Sequence, residues 1–236
     1  MLGAMRAPGP TSAATSLFEH ERAHGLVVGV RAGELDEDGA LMEEERLLAR
    51  DFTESRRRLF VAGRRAMRRA LELRGLSTGP VLASLRGAPV VHTEVGVSIS
   101  ISHKEHVAVA LVGEPGTAHR VGVDVEIDRP LRFDIARRVL TDLELERLSA
   151  LPEDRRSGFV LRRFSTKEAI YKAIDPFVQR YVAFREVSVI ECERGFRVDL
   201  HLEPPFGLSV EVQQTELAIE GVGNVIVSTA RAASRQ

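Results

Sequence analysis

Hydrophobic positions change their period along this chain, and the changes divide it. Residues 25–31, GLVVGVR, form a short apolar run that predicts a strand. A first helix is expected over 39–50 and a second over 53–74, where Leu59, Gly63, Ala66, Ala70 and Leu73 recur at helical spacing and Gly75 supplies the stop. Arg57, Arg64, Arg65 and Arg68 fall on the other side of that helix. From 80 to 113 the pattern alternates. VSISISHKEHVAVALVG predicts two strands with a tight turn near Lys104 and Glu105. Ser98, Ser100 and Ser102 share one face, and Val97, Ile99 and Ile101 the other.

The turn-rich stretch EPGTAH at 114–119 reads as a linker, and beyond it the same order of elements returns. A strand carries VGVDVEI and ends at Pro130. Helices are expected at about 133–150, broken near Leu151-Pro152, and at 154–174, stopped by Asp175-Pro176. VSVIEC, GFRVDLHL, LSVEVQ and VGNVIVSTA are strand-like runs. The expected fold class is α+β: two pseudo-symmetric halves, each a small antiparallel sheet packed with a long helix, with a ligand cleft between them. The expected boundaries are a mobile tail at 1–16, a first half at 17–116 and a second at 117–236. The repeat is one of architecture, since no sequence identity between the halves is visible.

Composition narrows the functional classes. A chain of 236 residues with 44% hydrophobic residues and a formal charge of −1 has a real core and is neither disordered nor a general polyanion binder. Its charge is uneven. ELDEDGALMEEE at 34–45 is acidic, and residues 56–74 hold eight arginines. An arginine-rich face can bind nucleic acid, but no aromatic interleaving or nucleic-acid motif accompanies it, so no nucleic-acid partner is expected. Cys192 is the only cysteine, which excludes an intramolecular disulfide and a cysteine metal cage and points to a reducing, cytoplasmic setting. No apolar run approaches the length of a membrane span, so no membrane association is expected, and the chain is expected to act as a monomer.

Two segments carry candidate chemistry. In VGVDVEIDRP at 121–130, Asp124 and Glu126 lie two apart on a strand, so both carboxylates face the same way. In FSTKEAIYKA at 164–173, Glu168 and Lys172 lie four apart on one helix face. Each pattern alone is ordinary: most Asp-x-Glu pairs are a solvated strand face, and i,i+4 pairs are common on helix surfaces. Here the acidic pair is embedded among Val121, Val123, Val125 and Ile127, where adjacent like charges are costly unless neutralised. If strand and helix meet, three carboxylates and one or two ammonium groups converge, which suits a hard divalent cation bound with a phosphate-bearing substrate.

In order, the chain shows two arginines eight apart, Arg-Gly-Ala-Pro at 86–89, Ser-Ile-Ser-His at 100–103, Gly-Val-Asp-Val-Glu at 122–126 and Phe-Ser-Thr-Lys-Glu-Ala-Ile-Tyr-Lys at 164–172. This series resembles the Sfp-type 4′-phosphopantetheinyl transferases, within them the branch serving siderophore and polyketide carrier proteins. The resemblance extends from about residue 40 to 230. It implies transfer of 4′-phosphopantetheine from coenzyme A to a serine of an apo acyl or peptidyl carrier protein, with release of adenosine 3′,5′-bisphosphate. It further implies Mg²⁺ held by Asp124, Glu126 and Glu168, with Glu168 also the candidate base and with Lys172 and Lys167 as catalytic cations. Arg56, Arg64, Arg86, Ser102 and His103 would bind coenzyme A phosphates. The family's commoner Gly-Lys-Pro is Gly87-Ala88-Pro89 here, which weakens the assignment of Arg86. Arg155, Arg156, Arg162 and Arg163 are candidates for steering an acidic carrier protein. Two other classes remain: another Mg²⁺-dependent nucleotide phosphotransferase or hydrolase, and a non-catalytic module binding carrier proteins or nucleic acid.

Overall fold

A computed structural model of the chain describes residues 16–33, 40–76, 79–131, 133–193 and 195–235. The expected tail, apart from Ser16, and the start of the expected first helix at 39 lie outside the described residues. In chain order the first half carries β1 (Ser16–Arg22), β2 (Gly25–Arg31), α1 (Glu43–Ala49), α2 (Glu54–Leu73), β3 (Leu82–Ala83), β4 (Pro89–Val90), β5 (Ile99–Lys104) and β6 (Val107–Val112). The second carries β7 (Arg120–Ile127), α3 (Ala136–Val139), α4 (Asp142–Ser149) and α5 (Glu153–Val178). A 3₁₀ turn at Phe184–Glu186, β8 (Val187–Cys192), β9 (Gly195–Leu200), β10 (Leu208–Ile219) and β11 (Gly223–Ser234) complete it.

The first half builds an antiparallel sheet ordered β1-β2-β6-β5, and the second one ordered β10-β11-β7. With β1 set aside, β2-β6-β5 and β7-β11-β10 are the same arrangement, each with its final strand in the centre. Each half also carries a two-stranded ribbon, β3-β4 or β8-β9. The fold is therefore α+β with two pseudo-symmetric halves, as the order of periods predicts. Val28 and Val30 of β2 meet Ala66, Met67 and Ala70 of α2, while Val27 faces the opposite way. There it joins Val109, Leu111, Val123, Val125 and Val227 in a core shared by both halves. Ala169, Ile170, Ala173 and Ile174 of α5 pack on Val189, Ala230 and Ala232.

Two details depart from the sequence pattern. The buried face of α2 is Ala62, Gly63, Ala66, Met67, Ala70 and Leu71, with Arg64 also buried, whereas Leu73 is exposed. Gly63 sets this face, since a Cβ there would stand 2.9 Å from the Ile101 methyl. Helix α5 runs through Pro176 to Val178 instead of stopping before it. Pro176 falls in the last turn, where a missing N–H leaves few later hydrogen bonds to disrupt.

The halves agree in side chains as well as strands. Glu45 of α1 is fully buried and accepts from the Met42 N–H at 2.9 Å, the Val81 N–H at 2.8 Å and Arg68 Nη1 at 2.8 Å. Arg68 also donates to the Ala40 carbonyl. Glu144 of α4 is likewise fully buried and accepts from the Thr141 N–H at 2.8 Å, the Val189 N–H at 2.9 Å and Lys167 Nζ at 2.6 Å. Lys167 also donates to the Val139 carbonyl. Arg68 and Lys167 each occupy the fifteenth position of their helix. Four residues earlier, Arg64 stacks on Phe60 at 3.7 Å and Arg163 on Phe159 at 4.5 Å. The sequence hides this repeat because the cation changes type and the partners are largely backbone groups.

Candidate active site

The site lies on the seam between β5 and β7, which run side by side without backbone pairing. Serine hydroxyls stitch them together. Ser98 Oγ accepts from the Val121 N–H at 2.9 Å, Ser100 Oγ accepts from the Val123 N–H at 3.0 Å, and Ser102 Oγ donates to Asp124 Oδ1 at 2.9 Å. The alternation that puts the three serines on one face is therefore what joins the halves. Period two on β7 presents Asp124 and Glu126 together, both buried.

Helix α5 comes against β7 at Gly122. A Cβ there would stand 2.0 Å from the Ala169 carbonyl oxygen and 2.8 Å from the Ala173 nitrogen. Only a residue without a side chain permits this approach. On the neighbouring strand β11, Ser228 receives Ser165 of α5 in a 2.9 Å hydroxyl pair, and Gln214 Nε2 donates to both Thr166 Oγ1 and Ser228 Oγ at 3.0 Å. Small and polar residues thus bring the helix close. The result is that Lys172 Nζ donates to the Val123 carbonyl at 2.8 Å and to Asp124 Oδ1 at 3.0 Å.

The three carboxylates have different surroundings. Asp124 Oδ1 takes two hydrogen bonds, whereas its Oδ2 is buried with no partner among the described residues. Glu126 pairs with Lys104 at 2.6 Å. Its carboxyl is nevertheless pushed above the usual range by burial, with Asp124 adding to the push and Lys104 opposing it. Glu168 is half-buried, and burial raises its pKa also; Lys172 opposes, and Asp124 and Glu126 reinforce. The carboxylates feel one another, yet among the described residues no three His, Cys, Asp or Glu side chains stand close enough to cage an ion unaided. The expected convergence is therefore looser than a closed metal cage, with Glu126 paired to Lys104 and Asp124 to Lys172. Hard oxygen donors, one of them buried and unpartnered, fit a cation that completes its shell with water and substrate phosphate.

The remaining candidates divide. His103 is near the end of β5; partial burial of its ring lowers its pKa, and Lys172 and Arg64 push the same way against Asp124. Arg64 is buried, donates through Nε to the Val81 carbonyl at 3.1 Å, and has its pKa lowered to about 10 by desolvation, so it stays charged at neutral pH. Exposed Arg56 lies 3.9 Å over the Phe52 ring, and Phe52 meets Phe60 edge to face at 5.3 Å. The two arginines eight apart are thus held by a pair of aromatic rings also eight apart.

Several candidates have structural partners of their own. Ser102, expected on a phosphate, spends its hydroxyl on Asp124 and so orients the acidic pair. Arg86 is engaged across the halves by Asp175, with Nη2 at 2.5 Å and Nε at 2.9 Å from Oδ1. Lys167 is fully buried on a different face of α5 from Glu168, with three acceptors of its own: Glu144, the Val139 carbonyl and the Phe184 carbonyl. It does not touch the seam. The four arginines expected to form one steering surface do not: Arg163 is buried against Phe159 and Glu191, and Arg162 pairs with Glu216 and Asp128. Sequence reasoning passed over Lys104 as a turn residue and missed Glu144, although Thr141-x-x-Glu144 has the spacing of a capping box.

Residues 120–228 match the 4′-phosphopantetheinyl transferase superfamily, and residues 43–113 match the 4′-phosphopantetheinyl transferase N-terminal domain. The chain is 32% identical over 179 residues to the 4′-phosphopantetheinyl transferase Npt of Nocardia iowensis, covering 72% of this chain and 77% of that protein. It is 31% identical over 112 residues to the holo-[acyl-carrier-protein] synthase of an Exiguobacterium species, covering 45% of this chain and 89% of the relative. A crystal structure of the holo-(acyl-carrier-protein) synthase from Bacillus anthracis, in complex with CoA (3′,5′-ADP), covers 49% of this chain and 96% of its own at 22% identity and a TM-score of 0.40. The chain belongs to the 4′-phosphopantetheinyl transferase superfamily. It is an enzyme of that family, a 4′-phosphopantetheinyl transferase.

Proposed function

We propose that this enzyme is of the Sfp type and moves 4′-phosphopantetheine from coenzyme A to a serine hydroxyl of an apo acyl or peptidyl carrier protein, Mg²⁺-dependently, releasing adenosine 3′,5′-bisphosphate. The observation that carries the reading is Asp124: Ser102 and Lys172 hold one carboxylate oxygen while the other is buried and unpartnered beside Glu126 and Glu168. The two family matches within one chain support the two-half type.

Asp124, Glu126 and Glu168 would hold Mg²⁺, which when bound neutralises and polarises the substrate pyrophosphate. Lys172 reaches the seam from α5 and stabilises phosphate charge as the P–O bond breaks. Glu168, the carboxylate that α5 contributes, takes the proton of the attacking serine directly or through a water. The serine oxygen bonds to phosphorus, and the adenosine bisphosphate leaves with the electron pair of the broken P–O bond. His103, Arg64 and the stacked Arg56 bind the remaining phosphates.

Mass spectrometry of an acyl and a peptidyl apo carrier protein, each incubated with enzyme, coenzyme A and Mg²⁺, tests the reading. The expected result is a mass gain of one phosphopantetheine group on at least one carrier. Hydrolysis of coenzyme A with no gain on either would favour a hydrolase and overturn it.

A further inference from the structure

We infer that Lys167 and Glu144 form a positioning clamp that fixes the rotation of α5, and so the reach of Glu168 and Lys172 toward β7.

Lys167 immediately precedes Glu168, and one residue turns a helix by about 100°. Holding Lys167 on one side of α5 therefore sets where Glu168 points. The hold is tight. The ammonium has three donors and three acceptors, at 2.6 Å from Glu144 Oε2, 2.6 Å from the Val139 carbonyl and 3.0 Å from the Phe184 carbonyl. Those acceptors come from α4, from the end of α3 and from the 3₁₀ turn, so the ammonium ties α5 to three separate segments. Glu144 is anchored in turn by the Thr141 and Val189 N–H groups. At another point on the helix, Gly122 leaves no slack against Ala169. The helix is pinned between a charged clamp and a bare strand.

The first half separates this role from catalysis. There Arg68, Glu45 and the Ala40 carbonyl make the same construction at the same helix position. The residue after Arg68 is Arg69, which pairs with Glu19 at 2.7 Å. A device present in both halves, while the carboxylates belong to one, is part of the framework. The equivalence also predicts which substitution is tolerated: arginine should serve at position 167.

The inference uses the transferase reading only for its assay, so wild-type enzyme tests that reading and the variants test the clamp. Transfer is measured per folded molecule, well below each variant's melting temperature, with thermal unfolding recorded alongside. Lys167→Met should lower kcat at least tenfold and leave the KM for coenzyme A within about threefold, because the proposed phosphate-binding arginines stand on the other half. Lys167→Arg should regain kcat to within threefold of wild type. Glu144→Gln, which keeps an oxygen for the anchoring N–H groups, should lower kcat in the same way and decides the question if Lys167→Met fails to fold. Wild-type kcat per folded molecule in the folded loss variant, whatever its melting temperature, would overturn the clamp. So would a tenfold loss in Lys167→Arg.

Discussion

Gly122 and Ala169 are in direct backbone contact, and that contact sets the distance between the strand of Asp124 and the helix of Glu168. A Cβ on residue 122 would stand 2.0 Å from the Ala169 carbonyl oxygen, a separation that atoms do not reach without movement. Gly122→Ala must therefore push α5 away from β7 and break the 2.8 and 3.0 Å hydrogen bonds of Lys172 to Val123 and Asp124. Overpacking of this kind costs about 1–3 kcal/mol of stability. Transfer should fall on the order of 100-fold, since misplacing reacting groups by an ångström has effects of that size. An Ala variant with wild-type kcat and stability would show that this close approach is dispensable.

Asp124→Asn tests the metal through binding as well as rate. The change removes the charge of the unpartnered buried Oδ2 and should nearly abolish transfer, a loss of several kcal/mol in transition-state stabilisation. Mg²⁺ should raise the melting temperature of the wild-type protein and not of the variant, since a ligand stabilises only the state that binds it. Without Mg²⁺ the variant should be no less stable than the wild type, because one of several crowded negative charges has gone. Equal Mg²⁺-dependent stabilisation of both proteins would place the ion elsewhere.

Arg56 and the 3′-phosphate can be separated from the chemistry by substrate choice. Arg56 is exposed, stands in the first turn of α2 and is stacked 3.9 Å over Phe52. Arg56→Ala should raise the KM for coenzyme A with little effect on kcat, by about 1.5–3 kcal/mol in kcat/KM as expected for one charge-assisted contact. Dephospho-coenzyme A lacks the 3′-phosphate and should be nearly insensitive to the change. Equal losses with both substrates would remove Arg56 from the 3′-phosphate.

The site and the fold were legible to different depths. Asp124 and Glu126 could be read because a strand's period fixes their common face, and Glu168 and Lys172 because a helix's period fixes theirs. The joining of β5 to β7 was half legible: the alternation of Ser98, Ser100 and Ser102 was visible, but their partners lie 22 or 23 residues away in sequence. Lys167 misled because it stands beside Glu168 in sequence, while in space the turn between neighbours carries it to the buried side. The contact that Arg86 makes was hidden for the opposite reason. Its partner Asp175 comes from the other half, and no local pattern announces a contact 89 residues away. The repeat of Glu45–Arg68 and Glu144–Lys167 was invisible because each glutamate lies on a different helix from its cation, 23 residues away, and the cation changes type.

His24 gives the folded protein a dependence on pH that the catalytic groups do not share. It sits in the turn between β1 and β2, 3% exposed, with Nδ1 2.9 Å from Thr229 Oγ1 of β11 and Nε2 4.0 Å from Glu211. Burial lowers its pKa to about 4, Arg231 pushes the same way, and Glu211 and the Thr229 contact oppose. The folded-state pKa lies below the unfolded one, so as pH falls the unfolded chain takes up the proton first. The stability His24 contributes is thus complete above about pH 6.5 and lost as pH falls toward 4. The shift corresponds to a loss of order 3 kcal/mol across that window, at about 1.4 kcal/mol per pH unit. Glu126 and Glu168 act with the opposite sign, because their raised pKa values favour the folded state at lower pH. The comparison to make is therefore between wild type and His24→Gln, in which those groups cancel. Urea unfolding at pH 7.5 and pH 5 should show the wild type losing roughly 2 kcal/mol more than the variant over that interval. Parallel losses in the two proteins would show that His24 is not held neutral by the fold.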